Sequence, residues 1–160
     1  MNIFYLDHDI IKCAQAHCDK HVNKMILEAA QLLAAAHHVC NPEAEQLSSL
    51  YRLTHKNHPC AVWVRASRHH YCYVQDLMYE LNEEAKYRYN RKADHLSFEK
   101  MLEWGIPPLL NTEFVDPPKC VHDDFKNVPG TVEAYRAYYK RDKASILQYT
   151  KRKPPDWLTD

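Results

Sequence analysis

The stretch HCDKHVNKMILEAAQLLAAAHH, residues 17–38, decides the fold. Read as an α-helix, with about 100° of rotation per residue, it separates its chemistry by face. His17, Lys20, His21, Lys24, Glu28, Gln31 and His38 share one narrow arc. Val22, Met25, Ile26, Ala29, Leu32, Leu33 and Ala36 fall on the opposite side. The apolar side predicts packing against a core. The polar side is either a solvated face or the lining of a cleft, since its titratable groups stand in file.

The flanks read as further helices. Asp7 or Asp9 can cap a first helix over Ile10–His17, and residues 2–6 (NIFYL) are a short strand or an extended lead-in. Asn41-Pro42 ends the long helix, and a short helix can follow at Glu43–Tyr51. Pro59 suits a helix start, and Val62, Val64, Tyr71, Val74, Leu77, Met78 and Leu81 carry helical periodicity to about Tyr89. Asp94 can cap a helix ending at Trp104. Residues 106–130 hold five prolines and no period, which predicts one long ordered loop. Thr131 can cap a last helix reaching about Thr150. The expected fold is an all-α, compact, single-domain helical bundle over residues 1–160 with one proline-rich loop.

Composition narrows the function. Two glycines argue against a turn-rich β protein, and 160 residues suit one domain. No apolar run approaches the roughly 20 residues that span a bilayer, so no membrane partner is expected. The start MNIFYLDHD lacks a basic region and cleavage site, which predicts a cytoplasmic protein. None of the six cysteines forms a CxxC pair, so reduced thiols are expected. Lys plus Arg and Asp plus Glu each number 21, so there is no global polycation. The charge is uneven, however: Arg136, Lys140, Arg141, Lys143, Lys151, Arg152 and Lys153 crowd the C-terminal segment. Such a segment is a solvated basic tail or a phosphate-holding surface.

Four groups of residues can carry chemistry. His17 and His21 have the one-turn spacing of helical metal ligands, but position 18 is Cys where a zinc protease has Glu; no metal and no cofactor is expected. Lys24 and Glu28 form either an i,i+4 ion pair or an amine beside a proton-shuttling carboxylate. Asp19 points toward the apolar side, so it must cap the helix or pair with a buried cation. His55, Lys56, Asn57 and His58 precede a helix start, as a capping loop or an anion cradle, with Arg65 two turns on. Tyr138 and Lys140 belong to an aromatic-basic run that either packs a helix or lines a nucleic-acid groove.

Three blocks together carry a resemblance: Asp19-Lys20-x-x-x-Lys24-x-x-x-Glu28-x-x-Gln31-x-Leu33, then Asn57-His58-Pro59 with Trp63, then the Tyr71…Glu84…Arg88 helix. Their order and spacing are similar to the pyrimidine-dimer DNA glycosylase-like family of bacteria and phages. The start and the CDKHVNKM motif also resemble phage proteins that begin M-N-I-F and carry CDKHVVKM. The match covers roughly residues 1–90. It implies an all-α DNA-binding domain, and host cytoplasm as the location if the chain is phage-encoded. In the characterised glycosylases an N-terminal α-amine attacks the sugar C1′ and a glutamate stabilises the charge and protonates. Here the chain begins Met1-Asn2, and bulky Asn2 disfavours removal of Met1. The family's small amine-bearing residue is therefore missing.

The resulting expectation is an enzyme acting at a nucleobase or its N-glycosidic bond, in DNA or a nucleotide. Glu28, Lys24 and His21 are its candidate catalytic residues. Glu28 is the acid/base, Lys24 the nucleophile or phosphate ligand, and His21 the proton-transfer assistant. Lys20, Gln31, His55, Lys56, Asn57, His58, Arg65, Arg88, Tyr138 and Lys140 are the candidate DNA or phosphate contacts. Two alternatives stand beside it: a non-catalytic nucleotide binder that sequesters a defence signal, and a thymine-base-modifying transferase.

Overall fold

A computed structural model describes residues 1–159, with the side chains of 46 and 47 excepted. The described residues form eight α-helices and no strand: α1 (Ile10–Ala16), α2 (Asp19–Cys40), α3 (Pro59–Ala66), α4 (Arg68–Tyr89), α5 (Leu96–Leu102), α6 (Asp123–Lys126), α7 (Thr131–Asp142) and α8 (Asp156–Thr159). Short 3₁₀ turns lie at Glu45–Ser49 and Ala144–Ile146. The all-α class matches the reading of the sequence. Among the described helices, none is long and apolar enough to cross a membrane.

The central element is α2, which packs on α4, α3 and α5. Val22, Met25, Ile26, Ala29, Leu32, Leu33 and Ala36 are all buried. Burying a Val, Leu, Ile or Met side chain contributes roughly 1.5–3 kcal/mol. The polar stripe is interrupted between Gln31 and His38. From Leu32 to His37 every residue of α2 is buried, because α3, α4 and α5 enclose that half. His37 stays satisfied there through a 2.8 Å hydrogen bond with the Tyr71 hydroxyl. Alanines at 34–36 supply the small side chains that such enclosure needs.

Local chemistry sets the helix ends. Asp9 caps α1 by accepting from the Lys12 N–H at 2.9 Å. Residues 59–89, read as one helix, are broken at Ser67. Its hydroxyl accepts the His69 N–H at 3.2 Å and donates to the Thr112 carbonyl at 2.8 Å. A fully buried serine cap thus divides α3 from α4. Asp94 is not the cap of α5; His95 is, and Asp94 accepts from Asn82 and Lys86 instead. The last long helix ends at Asp142, eight residues before Thr150, and its cap is Gly130 rather than Thr131.

The proline-rich segment is ordered by backbone pairing with the α3–α4 corner. Arg68 N–H donates to the Leu110 carbonyl at 2.8 Å, and the Trp63 indole donates to the Val115 carbonyl at 3.0 Å. Val115 N–H donates to His70 Nε2 at 3.1 Å. Trp63 stacks on His70 with ring centroids 4.2 Å apart and is a core residue.

Candidate functional site

The side chain of Glu28 is the meeting point of several elements. Lys24, one turn earlier on α2, places Nζ 3.1 Å from Oε1. The Asn2 N–H donates to Oε2 at 3.0 Å. The α-amino nitrogen of Met1 lies 3.8 Å from the same oxygen. Two amines and one amide hydrogen therefore converge on one half-buried carboxylate, whose side chain is 13 % exposed, while Lys24 is 56 % exposed. No spacing rule shows this, since Met1 and Glu28 belong to different elements.

The 54–58 loop borders the same carboxylate. Burial lowers the His58 pKa first, and the charges of the Met1 amine and His55 lower it further, with Glu28 opposing. His58 caps α3 by accepting the Cys60 N–H at 3.2 Å. His55 holds a left-handed φ of 51°, and its carbonyl accepts the His58 N–H at 2.9 Å. The Arg65 guanidinium donates to the Lys56 carbonyl at 2.6 Å and so braces the loop. His55, Lys56 and Asn57 are exposed. Gln31 is half-buried, one turn beyond Glu28.

On the other side, α7 meets the start of the stripe through Phe4. The Phe4 ring stacks on His21 with centroids 4.6 Å apart, and Tyr138 lies parallel to it at 6.4 Å. Lys143 places Nζ 4.9 Å from the Tyr138 ring. Phe4 carries a φ of 25°, a strained value for a bulky residue that the stacking must maintain. Lys20 and Lys140 are exposed near these ends of α2 and α7. Lys20, Lys24 and Lys143 each act on His21.

Two expected roles do not survive. His21 is 4 % exposed, and its Nδ1 pairs with the Tyr139 hydroxyl at 2.8 Å. Burial, then the charges of His17 and the three lysines, push its pKa down to about 3. A neutral, enclosed imidazole is no proton carrier at physiological pH, so His21 is a structural ring. Arg88 is likewise no phosphate contact. Its side chain is fully buried, and it donates to Glu84, Asp19 and the carbonyls of His17 and Gln15 at 2.7–3.0 Å. It points inward because α1 and α2 present carbonyls and a carboxylate to α4 at that level.

Asp19 is the other half of that arrangement. It accepts from Arg88 at 3.0 Å and from the Thr150 N–H and hydroxyl at 2.7–3.0 Å. Those donors hold its pKa below the usual carboxylate value against the opposing effect of burial. In the C-terminal basic run Arg136 donates to the Leu6 carbonyl and Asp7 at 2.7 Å, and Arg152 donates twice to Glu84 at 2.8–2.9 Å. Part of the basic tail is thus held to the core rather than free for phosphate.

Of the stripe, then, Lys20 and Lys24 are exposed, Glu28, Gln31 and His38 are half-buried, and His17 and His21 are interior. His17 is fully buried, with Nδ1 2.8 Å from the Cys13 carbonyl, and its pKa falls to about 4 through burial. The pair of His17 and His21 does not converge on an ion position. Among the described residues the converging group is His58, Cys60 and Cys120. Cys60 donates to Cys120 across 3.5 Å; that bond lowers the Cys120 pKa to about 7, with burial opposing, and raises that of Cys60. No protein-family model, curated protein or solved structure matches the chain.

Proposed function

We propose that this protein acts on a nucleobase or its N-glycosidic bond, in DNA or a nucleotide, as a glycosylase-like enzyme. The observation that supports this reading is Glu28 flanked by two amines, Lys24 Nζ at 3.1 Å and the Met1 nitrogen at 3.8 Å. A carboxylate beside an amine can take its proton and then shelter the positive charge that develops on the sugar. The amine bonds to C1′, the bond from C1′ to the base breaks, and the base leaves with a proton. The C1′–O4′ bond then breaks, with the amine's remaining proton passed to O4′, and the open-chain sugar is left as an imine on the amine.

The surroundings suit an anionic substrate. His58 and His55 lie on the Glu28 side of the site, and Lys20, Lys24 and Lys143 act on His21 beside Phe4 and Tyr138. A base in a duplex must leave the stack to reach Glu28, at a cost of a few kcal/mol. The proline-rich segment runs beside the site and is the natural wedge.

The test is borohydride trapping on duplex DNA carrying pyrimidine dimers or abasic sites. A covalent adduct is expected, and peptide mapping assigns it to Met1 or Lys24. Glu28→Gln is expected to lose trapping about 10²–10⁴-fold with DNA binding intact. Unchanged cleavage in both Glu28→Gln and Lys24→Ala overturns the reading. Recovery of an intact nucleotide from denatured protein, with no trapping, replaces it by the non-catalytic binder.

A further inference from the structure

His58, Cys60 and Cys120 bring a ring nitrogen and two sulfurs within 4.8 Å of one another. His58 and Cys60 stand at the start of α3, and Cys120 comes 60 residues later, at the end of the proline-rich segment. The two sulfurs are 3.5 Å apart. Two thiolates on one tetrahedral zinc, each at about 2.3 Å, stand roughly 3.8 Å from each other. A disulfide needs about 2.05 Å. The observed spacing is closer to that of two ligands on one ion than to that of a disulfide, and a third donor of suitable type completes the face.

We propose that His58, Cys60 and Cys120 form a zinc site with three protein ligands and a fourth position on the solvent side. Two thiolates and an imidazole favour zinc over magnesium, calcium or manganese, which take oxygen ligands. His58 and Cys120 are half-exposed and Cys60 is buried, so the open position faces outward. The centre is neutral when loaded, since two thiolates offset the ion. It therefore adds no net charge beside the Met1 amine and Glu28.

The outer contacts hold the ligands in place, as outer contacts of zinc sites do. The Cys120 N–H donates to the Tyr135 hydroxyl at 3.2 Å, and its carbonyl accepts from the Asn2 side chain at 2.8 Å. His58 Nδ1 now accepts the Cys60 N–H at 3.2 Å. Ligation through that nitrogen exchanges one capping hydrogen bond for a metal bond, a small loss beside two zinc–thiolate bonds. The ion would clamp the proline-rich segment to α3. Asn2 then links the clamp to Glu28, because its N–H donates to that carboxylate at 3.0 Å. The zinc site does not rest on the glycosylase-like reading.

The experiment uses the full chain, reduced and freed of metal by a chelator. One equivalent of Zn²⁺ is added and followed by native mass spectrometry, and Co²⁺ is added separately and followed by absorption. One zinc per chain and a tetrahedral cobalt spectrum with thiolate charge-transfer bands are expected. Cys120→Ser should weaken zinc binding at least ~10-fold, and Cys40→Ser, at a half-buried thiol outside the cluster, should leave it unchanged. An octahedral cobalt spectrum, zinc held equally by Cys120→Ser, or no stoichiometric zinc overturns the proposal. The cobalt spectrum of the unaltered chain decides the matter even if Cys120→Ser fails to fold. A Cys60–Cys120 disulfide formed with oxidised glutathione while zinc is present also overturns it.

Discussion

The Arg88 guanidinium lies 3.0 Å from the Asp19 carboxylate, and with it the motif that resembles a DNA-binding block becomes partly architectural. Asp19 opens α2, Arg88 closes α4, and Thr150 of the C-terminal segment donates to the same carboxylate. Glu84 extends the link to Arg152. A fully buried cation is costly unless it is paired, and here two carboxylates and two carbonyls pair it. Arg88→Ala leaves Asp19 and the buried Glu84 without that partner. The expected loss is roughly 3–5 kcal/mol, which lowers the Tm by about 6–20 °C for a chain of this length. Calorimetry checks it; a change under 1 °C contradicts the buried network.

Buried histidines set a pH dependence of stability. The pKa of His17 falls from 6.5 to about 4 and that of His21 to about 3 on folding. Between those values and 6.5 the unfolded chain binds more protons than the folded one. Stability is therefore full above pH 6.5 and falls as the pH drops toward 4, by up to about 3 kcal/mol for His17. Asp19 and Glu84, whose pKa values are depressed below 3.8 and 4.5, add a further loss below pH 4.5. Urea midpoints at pH 7.5, 5.5 and 4.5 should fall in order, and His21→Gln should flatten the upper part of the curve.

Lys24→Ala is expected to change stability by less than about 0.5 kcal/mol. Its ion pair with Glu28 is an i,i+4 contact with the lysine more than half exposed, and such pairs are worth a few tenths. Thermal melts of this variant beside its trapping yield separate a chemical role from a folding one. A large fall in Tm would mean that Lys24 carries packing the contacts do not show.

Ser67→Ala should cost about 1–3 kcal/mol. It removes the cap of α4 and one hydrogen bond to the Thr112 carbonyl, which keeps its 2.7 Å contact with His69 Nδ1. Because Thr112 lies in the proline-rich segment, limited proteolysis within residues 106–122 should quicken in the variant. Equal proteolysis in both proteins would show that the Trp63 and His70 contacts alone hold the segment.

Particular elements show why the two levels of reading differ. The caps at Asp9 and the start of α3 at Pro59 are local, and the apolar arc of α2 is a single-helix property, so each follows from residue order. The break at Ser67 depends on Thr112, and the burial of His37 depends on Tyr71. The places of Asn2, Phe4, Cys60 and Cys120 carried no signal, because their partners lie far along the chain, and Lys143 was legible only as one charge of a basic run. The site at Glu28 was legible in one of its two amines: Lys24 is one turn away on the same helix, and Met1 arrives only through the fold of the N-terminal segment.

By itself, the order of residues determined the all-α class, the long central helix and the buried side of that helix. These follow from periodicity and local capping, which act within a few residues. The tertiary structure alone decided which polar groups face water. Arg88 and His21 went inward because α1, α2 and α7 supply partners that offset their desolvation, while Glu28 lies half-buried between two amines. A polar side chain goes wherever its hydrogen bonds can be met, and only the packing of distant segments settles where that is.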